Sequence, residues 1–149
     1  MLWARNPEIG AASGLALDSG ARVDCVGSVG IEGAAIPVFA GARTDAWTPL
    51  GRAEWYRNVL APSPRAFATR RELCERLGGL EASPEGILDY GIRLRRAGLR
   101  TMVVPTVRLM RRGLGEASPV VRNDSLRGSD PSFNPNLAPS STLPIPREG

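Results

Sequence analysis

The fold is decided by residues 78–105, which read GGLEASPEGILDYGIRLRRAGLRTMVVP. After a turn at residues 81–84, apolar residues recur at three- and four-residue spacing, which predicts an amphipathic helix over 85–97 that ends at Gly98. The apolar, β-branched run that follows predicts a strand, and Pro105 divides it into an inner part and an edge part.

The residues before this stretch supply the other elements. Helical spacing and a terminal pair of glycines predict a shorter helix over 70–78, fed by a short strand at 66–68. A turn at Asp18-Ser19-Gly20 between two strand-like runs, 9–17 and 22–29, predicts an N-terminal β-hairpin. We therefore predict an α/β fold with a small mixed sheet and two main helices.

Two segments lack such periodicity. Residues 30–60 are rich in Gly and Pro and are predicted to be an irregular loop. From residue 113 the chain is rich in Ser, Pro, Asn and Arg, and it has too few apolar residues to offset the entropy of ordering them. We predict a domain over 1–112 and a flexible, disordered tail over 113–149 that packs poorly.

Composition excludes several classes of protein. The net charge is +4, but all 19 basic residues are Arg and 15 acidic residues are interspersed among them, which indicates a coding bias rather than a nucleic-acid surface. The absence of His removes the commonest general base and metal ligand. The two cysteines have no metal or redox spacing and are predicted to be reduced and buried. No apolar run approaches the ~20 residues of a membrane span, so we expect a cytoplasmic chain without a transmembrane segment.

Carboxylates remain as candidate catalytic groups. Glu81, Glu85 and Asp89 recur every four residues, and Asp89 also stands four residues before Arg93. Asp89 is therefore either the acid of a surface ion pair with Arg93 or the remnant of a catalytic helix, and the residue pattern alone favours the ion pair.

Several blocks of the chain resemble family 2 glycosyltransferases, the GT-A-fold enzymes that move a sugar from a nucleotide-sugar to an acceptor hydroxyl. AFATRRELCERLGGLEAS, DYGIRLRRAG and TMVVP follow the order of a strand and helix, an acidic helix and a proline-ended strand in that family. NPEIGAASGLALDSGARVDCVGSVG is similar to its hairpin after the metal-binding D-x-D, and DPSFNPNL is similar to a signature of some bacterial members.

The resemblance covers only the acceptor-side half of such a domain. The resemblance implies that the nucleotide-binding βαβ half with its D-x-D is missing, because Met1 falls just downstream of where that half should end. The position of the family's general base aligns with Ile87, which leaves Asp89 as the remaining acid and the only candidate catalytic residue. The histidine expected after the proline strand is absent, with VRLMRRG in its place.

These departures imply a degenerate enzyme. The family uses a divalent cation, Mn²⁺ or Mg²⁺, but we expect no metal site and no cofactor in this chain. Trp47, Trp55 and Tyr56, on the approach to the acceptor-side strand, are candidate acceptor-binding residues. If the chain is active, its partners are a nucleotide-sugar and a glycan acceptor. The alternative is a non-catalytic module that docks on a protein carrying the nucleotide-binding half.

Overall fold

A computed structural model describes residues 5–112, 118–126, 137–138 and 145–146 of the chain. Its helices are α1 (Arg71–Arg76) and α2 (Pro84–Arg96), and a 3₁₀ turn covers Asp124–Leu126. Its strands are β1 (Ile9–Leu17), β2 (Val23–Cys25), β3 (Gly27–Ile31), β4 (Ala34–Pro37), β5 (Arg57–Val59), β6 (Ala61–Pro62), β7 (Phe67–Thr69), β8 (Arg100–Met110), β9 (Val121–Arg122), β10 (Leu137–Ala138) and β11 (Ile145–Pro146).

The first sheet is mixed and is built around the parallel pair β1 and β8. β2 and β7 both pair antiparallel with the other edge of β1, and β5 pairs antiparallel with β8. The predicted α/β fold with a small mixed sheet and two main helices is confirmed. The predicted N-terminal hairpin is also confirmed, since β1 and β2 pair around the turn at Asp18.

The second strand of that hairpin is shorter than predicted, because the chain leaves the first sheet after Cys25. β3 continues into a second, four-stranded sheet of order β6-β3-β4-β9. Gly27 stands at the change of sheet with φ +141°, and a Cβ there would lie 2.8 Å from the carbonyl oxygen of Ala61. Only glycine fits this backbone and this close approach, so one predicted strand over 22–29 becomes two.

The prediction of an irregular loop over residues 30–60 is wrong at both ends. β4 lies in it and pairs with β3 across a turn at Glu32-Gly33, and β5 lies near its end. Both strands are short, at four and three residues, and their pairing is with distant or turn-linked segments, which single-sequence periodicity does not report.

Both predicted helices are confirmed. α2 starts at a capped terminus, where the Ser83 hydroxyl accepts a hydrogen bond from the Gly86 N–H at 3.0 Å and Pro84 occupies the first turn. It ends at Gly98, which has φ +74°, and the Leu99 N–H donates to the Leu94 carbonyl at 2.9 Å. This is the glycine-terminated helix end that the sequence predicted.

α2 packs against both sheets. Tyr90 and Leu94 contact the first sheet and α1 in one apolar cluster, whereas Leu88 and Ile92 contact the second sheet in another. A third cluster fills the space between the two sheets and includes Leu15, Phe39 and Val103. The helix is therefore the element that joins the layers of the fold.

β8 behaves as Pro105 predicted. Its register with β1 shifts between the pairs Ser13↔Val103 and Leu15↔Arg108, so the strand bulges around the proline. Before the bulge β8 lies between β1 and β5, and after it the described residues show pairing with β1 alone.

Part of the predicted tail is packed, which corrects our expectation for residues 118–126. β9 pairs with β4, and Val121 and Leu126 are buried in the cluster beside α2. Two well-placed apolar residues suffice here, because α2 and β4 already form the surface on which they pack. β10 and β11 pair with each other. The rest of the tail lies outside the described residues, as does most of the DPSFNPNL block, and the division at residue 113 stays a prediction.

The structure also bears on the two cysteines and on the length of the helices. Both cysteines are free thiols; Cys25 is buried as predicted, and burial raises its pKa, but Cys74 is only half-buried. Among the described residues, neither helix is long and apolar enough to cross a bilayer.

The contact between α2 and the segment 60–61 gives a test of the packing. A Cβ at Gly91 would lie 2.8 Å from the Cα of Ala61 and would also overlap the Leu60 carbonyl oxygen. We expect Gly91→Ala to destabilise the fold by roughly 1–3 kcal/mol in urea denaturation, because the overlap outweighs the gain of ~1 kcal/mol in helix propensity. Arg96→Ala, at an exposed position on the same helix, is the matched control and should change stability little. Equal stability of the two variants would show that the helix does not press on this segment.

Candidate functional site

The candidate acceptor-binding residues lie in an exposed segment before β5, here called the aromatic loop (residues 47–56). Trp47 is 73% exposed, Trp55 is 47% exposed and Tyr56 is 59% exposed. The two indole rings meet edge to face, with their centroids 5.2 Å apart and their planes at 87°. Such a pair presents two apolar surfaces at a right angle to solvent.

Local backbone bonds hold the two indoles together. Thr48 and Gly51 exchange both of their backbone hydrogen bonds, at 2.8 and 3.1 Å, which closes a tight turn between the tryptophans. The Trp55 ring lies directly on Gly51, where a Cβ would come within 2.5 Å of it. The turn therefore sets the distance between Trp47 and Trp55.

Arg57, at the start of β5, holds the aromatic loop in place through hydrogen bonds to its backbone. Its guanidinium donates to the carbonyl oxygens of Leu50, at 2.9 Å, and of Arg52, and it stacks 4.4 Å from the centroid of the Phe39 ring. Burial lowers the pKa of Arg57 to about 10, so the group stays charged at neutral pH. The sequence analysis missed Arg57, and its position beside Trp55-Tyr56 was the available signal.

A second contact connects the aromatic loop to β8. Glu54 accepts hydrogen bonds from Arg52 at 3.0 Å and from Arg108 at 2.8 Å. Arg108 lies beyond the Pro105 bulge, so the loop is positioned near the carboxyl end of β8, the end at which parallel strands of α/β proteins commonly carry their sites.

Asp89 lies on the exposed side of α2 and forms the ion pair predicted with Arg93, at 2.8 Å between Arg93 Nε and Asp89 Oδ2. Arg93 also donates to the Leu77 carbonyl oxygen and lies over the Tyr90 ring at 5.5 Å. The Asp89 carboxylate thus helps hold an arginine that joins the two helices. Asp89 and the aromatic loop are positioned by different parts of the fold.

Ile87, at the position that the resemblance assigns to the general base, is 7% exposed. It lines a narrow cavity between α2 and the second sheet, beside Pro62, Ser118 and Pro119. The side chain is apolar and its surroundings are largely apolar, so nothing at this position can accept a proton. The structure assigns it to packing.

The described residues do not fit a divalent cation. No group of three acidic, cysteine or histidine side chains comes together within the part of the chain that the structure describes. Mn²⁺ and Mg²⁺ bind through several oxygen ligands, of which carboxylates are the usual protein source.

The sequence analysis did not predict a charged cluster around Asp24. Asp24 is 5% exposed, and its carboxylate contacts Arg65 at 3.2 Å and Arg111 at 3.7 Å. The signal was an acid inside the otherwise apolar run at residues 23–26. The three residues connect β2, the segment before β7 and the residue that follows β8, which makes the cluster a structural tie at the carboxyl end of the first sheet.

Comparison with known proteins gives one finding that bears on function. Over 112 residues the chain is 32% identical to the O-antigen biosynthesis protein RfbC of Myxococcus xanthus. The match covers 72% of this chain but only 9% of the relative's length. It supports a glycosyltransferase-like relationship. No protein-family model and no solved structure matches the chain.

The geometry at Asp89 predicts a small effect on stability. We expect Asp89→Asn to lower the free energy of unfolding by about 0.3–0.5 kcal/mol in urea denaturation, because an exposed i,i+4 pair contributes little. Ser83→Ala, which removes the cap of the same helix, should cost more, about 1 kcal/mol. A larger loss for Asp89→Asn than for Ser83→Ala would mean that the carboxylate has a further structural role.

Proposed function

We propose that this chain forms the acceptor-side part of a family 2 glycosyltransferase catalytic domain with the GT-A fold, and that it is inactive or weakly active by itself. The similarity over 112 residues to an O-antigen biosynthesis protein carries this proposal. The succession of strand, helix, helix and strand from β7 to β8 supports it, because it follows the order of the blocks that resemble the family.

The aromatic loop supplies the acceptor site in this proposal. A sugar ring has apolar C–H faces and polar edges, so it can pack one face on an indole while its hydroxyls remain in water. Trp47 and Trp55 meet at a right angle, which provides contacts for two adjoining faces of a saccharide. Tyr56 is exposed beside them and adds a hydroxyl that can donate or accept a hydrogen bond.

Sugar transfer requires two agents that these residues do not provide. The leaving diphosphate must be neutralised, and the acceptor hydroxyl must lose its proton as the new bond forms. Ile87 cannot take that proton, and Asp89 is held by Arg93 at 2.8 Å on the outer side of α2. No D-x-D occurs in the 149 residues. Binding of an acceptor is therefore the part of the reaction that this chain can perform.

An engineered acid at residue 87 tests the assignment of inactivity. We expect Ile87→Asp to give no sugar transfer from a nucleotide-sugar in the presence of Mn²⁺, because a base acts only when a donor is held close to the hydroxyl it activates. The measurement is release of nucleoside diphosphate with O-antigen polysaccharide as acceptor. Ile87→Asn, of nearly the same size without the charge, is the control for the disturbed packing.

Turnover by Ile87→Asp but not by Ile87→Asn would reveal a donor site within these residues and overturn the proposed inactivity. Turnover by the unchanged chain only after addition of a protein carrying the nucleotide-binding half would instead favour the docking alternative described below.

The acceptor site has its own test. We expect delipidated O-antigen polysaccharide to change the tryptophan fluorescence of the chain, and we expect Trp47→Ala to weaken binding about tenfold, which corresponds to ~1.4 kcal/mol of lost stacking. Leu80→Ala, which truncates an exposed apolar side chain outside the aromatic loop, is the matched control and should bind normally. Equal affinity of both variants in calorimetry would exclude the aromatic loop as the saccharide site.

One observation favours the alternative function, a module that docks on a protein with the nucleotide-binding half. An open apolar cavity of about 320 Å³ lies on the first sheet between β1, β7 and β8. Phe67, Val107 and Leu109 line it, and the latter two are 51% and 50% exposed. Exposed apolar surface beside an unpaired strand edge is suited to another domain.

A further inference from the structure

A second cavity, of about 290 Å³, lies between the last turns of α2 and the edge strand β5. It is located beside the start of β8, whereas the aromatic loop is positioned near the end of that strand. Its lining residues are Asn58, Val59, Leu60, Gly91, Arg95, Leu99, Arg100 and Thr101. Gly91 leaves room for the cavity on the α2 side, since the side chain of any larger residue would fill the space beside Leu60.

The Thr101 hydroxyl is a buried polar group at this cavity. Thr101 is 3% exposed, it lines the cavity, and its Oγ1 has no hydrogen-bond partner among the residues that the structure describes. Buried hydroxyl groups in folded proteins nearly always have a partner, because leaving one unpaired destabilises the fold. A hydroxyl in this position therefore points to a polar group that enters the cavity.

The charge around the opening fits an anion. Arg95, on the last turn of α2, and Arg100, at the start of β8, are exposed and line the cavity. Arg100 also pairs with Glu8 at 2.5 Å, which neutralises part of the charge. Guanidinium groups bind phosphate through paired N–H donors, and a phosphate has enough oxygens to accept from a threonine hydroxyl as well.

Apart from the exposed Asn58, the remaining walls are apolar. Val59 and Leu60 are buried and Leu99 is half-buried, so the interior offers hydrocarbon surface next to the Thr101 hydroxyl. Apolar walls with a few polar groups at fixed positions are typical of small-molecule sites.

We propose that this cavity binds a phosphate monoester with an apolar substituent. The phosphate contacts Arg95, Arg100 and the Thr101 hydroxyl, and the substituent packs between Val59, Leu60 and Leu99. The site is separate from the aromatic loop, so this proposal does not depend on the glycosyltransferase assignment.

Phenyl phosphate is the probe, and the full-length chain is titrated by ¹H–¹⁵N NMR. We expect shift changes at the amides of Gly91, Leu99 and Thr101 that saturate, with inorganic phosphate and phenol each binding more weakly. Thr101→Val keeps the shape of the side chain and should weaken phenyl phosphate about tenfold by removing one hydrogen bond to a charged group. Arg95→Gln should weaken it about tenfold or more.

Arg96→Gln is the matched control, since Arg96 is exposed on the same helical turn but does not line the cavity. Unchanged binding by Arg96→Gln beside weakened binding by Thr101→Val supports the site. Equal losses for Arg95→Gln and Arg96→Gln would reduce the effect to general charge attraction and overturn the proposal. The proposal is also overturned if phenyl phosphate leaves the three amides unshifted, or if inorganic phosphate binds as tightly as the ester. If Thr101→Val fails to fold, the pair Arg95→Gln and Arg96→Gln decides alone.

Discussion

The parallel pairing of β1 with β8 is the constraint on which the rest of the structure depends. Parallel strands cannot be joined by a tight turn, so the 82 residues between Leu17 and Arg100 must leave the sheet and return. On that path the chain forms three of the four strands of the second sheet, the aromatic loop, and then α2. This helix packs on both sheets and precedes the start of β8. The bulge at Pro105 shifts this pairing without ending it, and Arg108 beyond the bulge holds Glu54. The same strand pair thus supports the loop at one end and the second cavity at the other.

Sequence reasoning succeeded where signals were local. The turn at residues 81–84, the apolar stripes and Gly98 lie within one helix and its flanks, so α2 was predicted nearly to the residue. It failed where a distant segment decides the outcome. The chain changes sheets at Gly27 because Ala61 passes close to it, and β9 exists because β4 and α2 leave a surface that Val121 and Leu126 can cover. The same holds for the candidate site. Spacing alone predicted the Asp89–Arg93 pair, whereas the stacking of Arg57 on Phe39 and the burial of the Thr101 hydroxyl depend on the folded structure.

α2 shows how position on a helix decides where an acid can lie. Residue 87 faces a largely apolar cavity, where a buried isoleucine contributes about 2 kcal/mol relative to an exposed one, while an ionised carboxylate in the same place would require a hydrogen-bonding partner. Asp89 is two residues farther along, on the side that faces water, and there an acid is stabilised by Arg93 without any cost of burial. In a helix of this kind, position relative to the cavity determines whether an acid can be catalytic. The overall resemblance to an enzyme does not determine it.

The two edges of β8 are paired to different extents, and this affects how the strand can interact with other chains. Up to Val103 both of its edges are occupied, but beyond Pro105 the described residues show a partner on one side only, and Val107, Leu109 and Met110 are exposed there. A free strand edge is a template for another strand, and natural proteins protect such edges with prolines, bulges and charges. Pro105 and Arg108 are protections of this kind, each placed within a few residues of the exposed apolar side chains. Both residues therefore oppose the addition of a strand from a second chain at this edge.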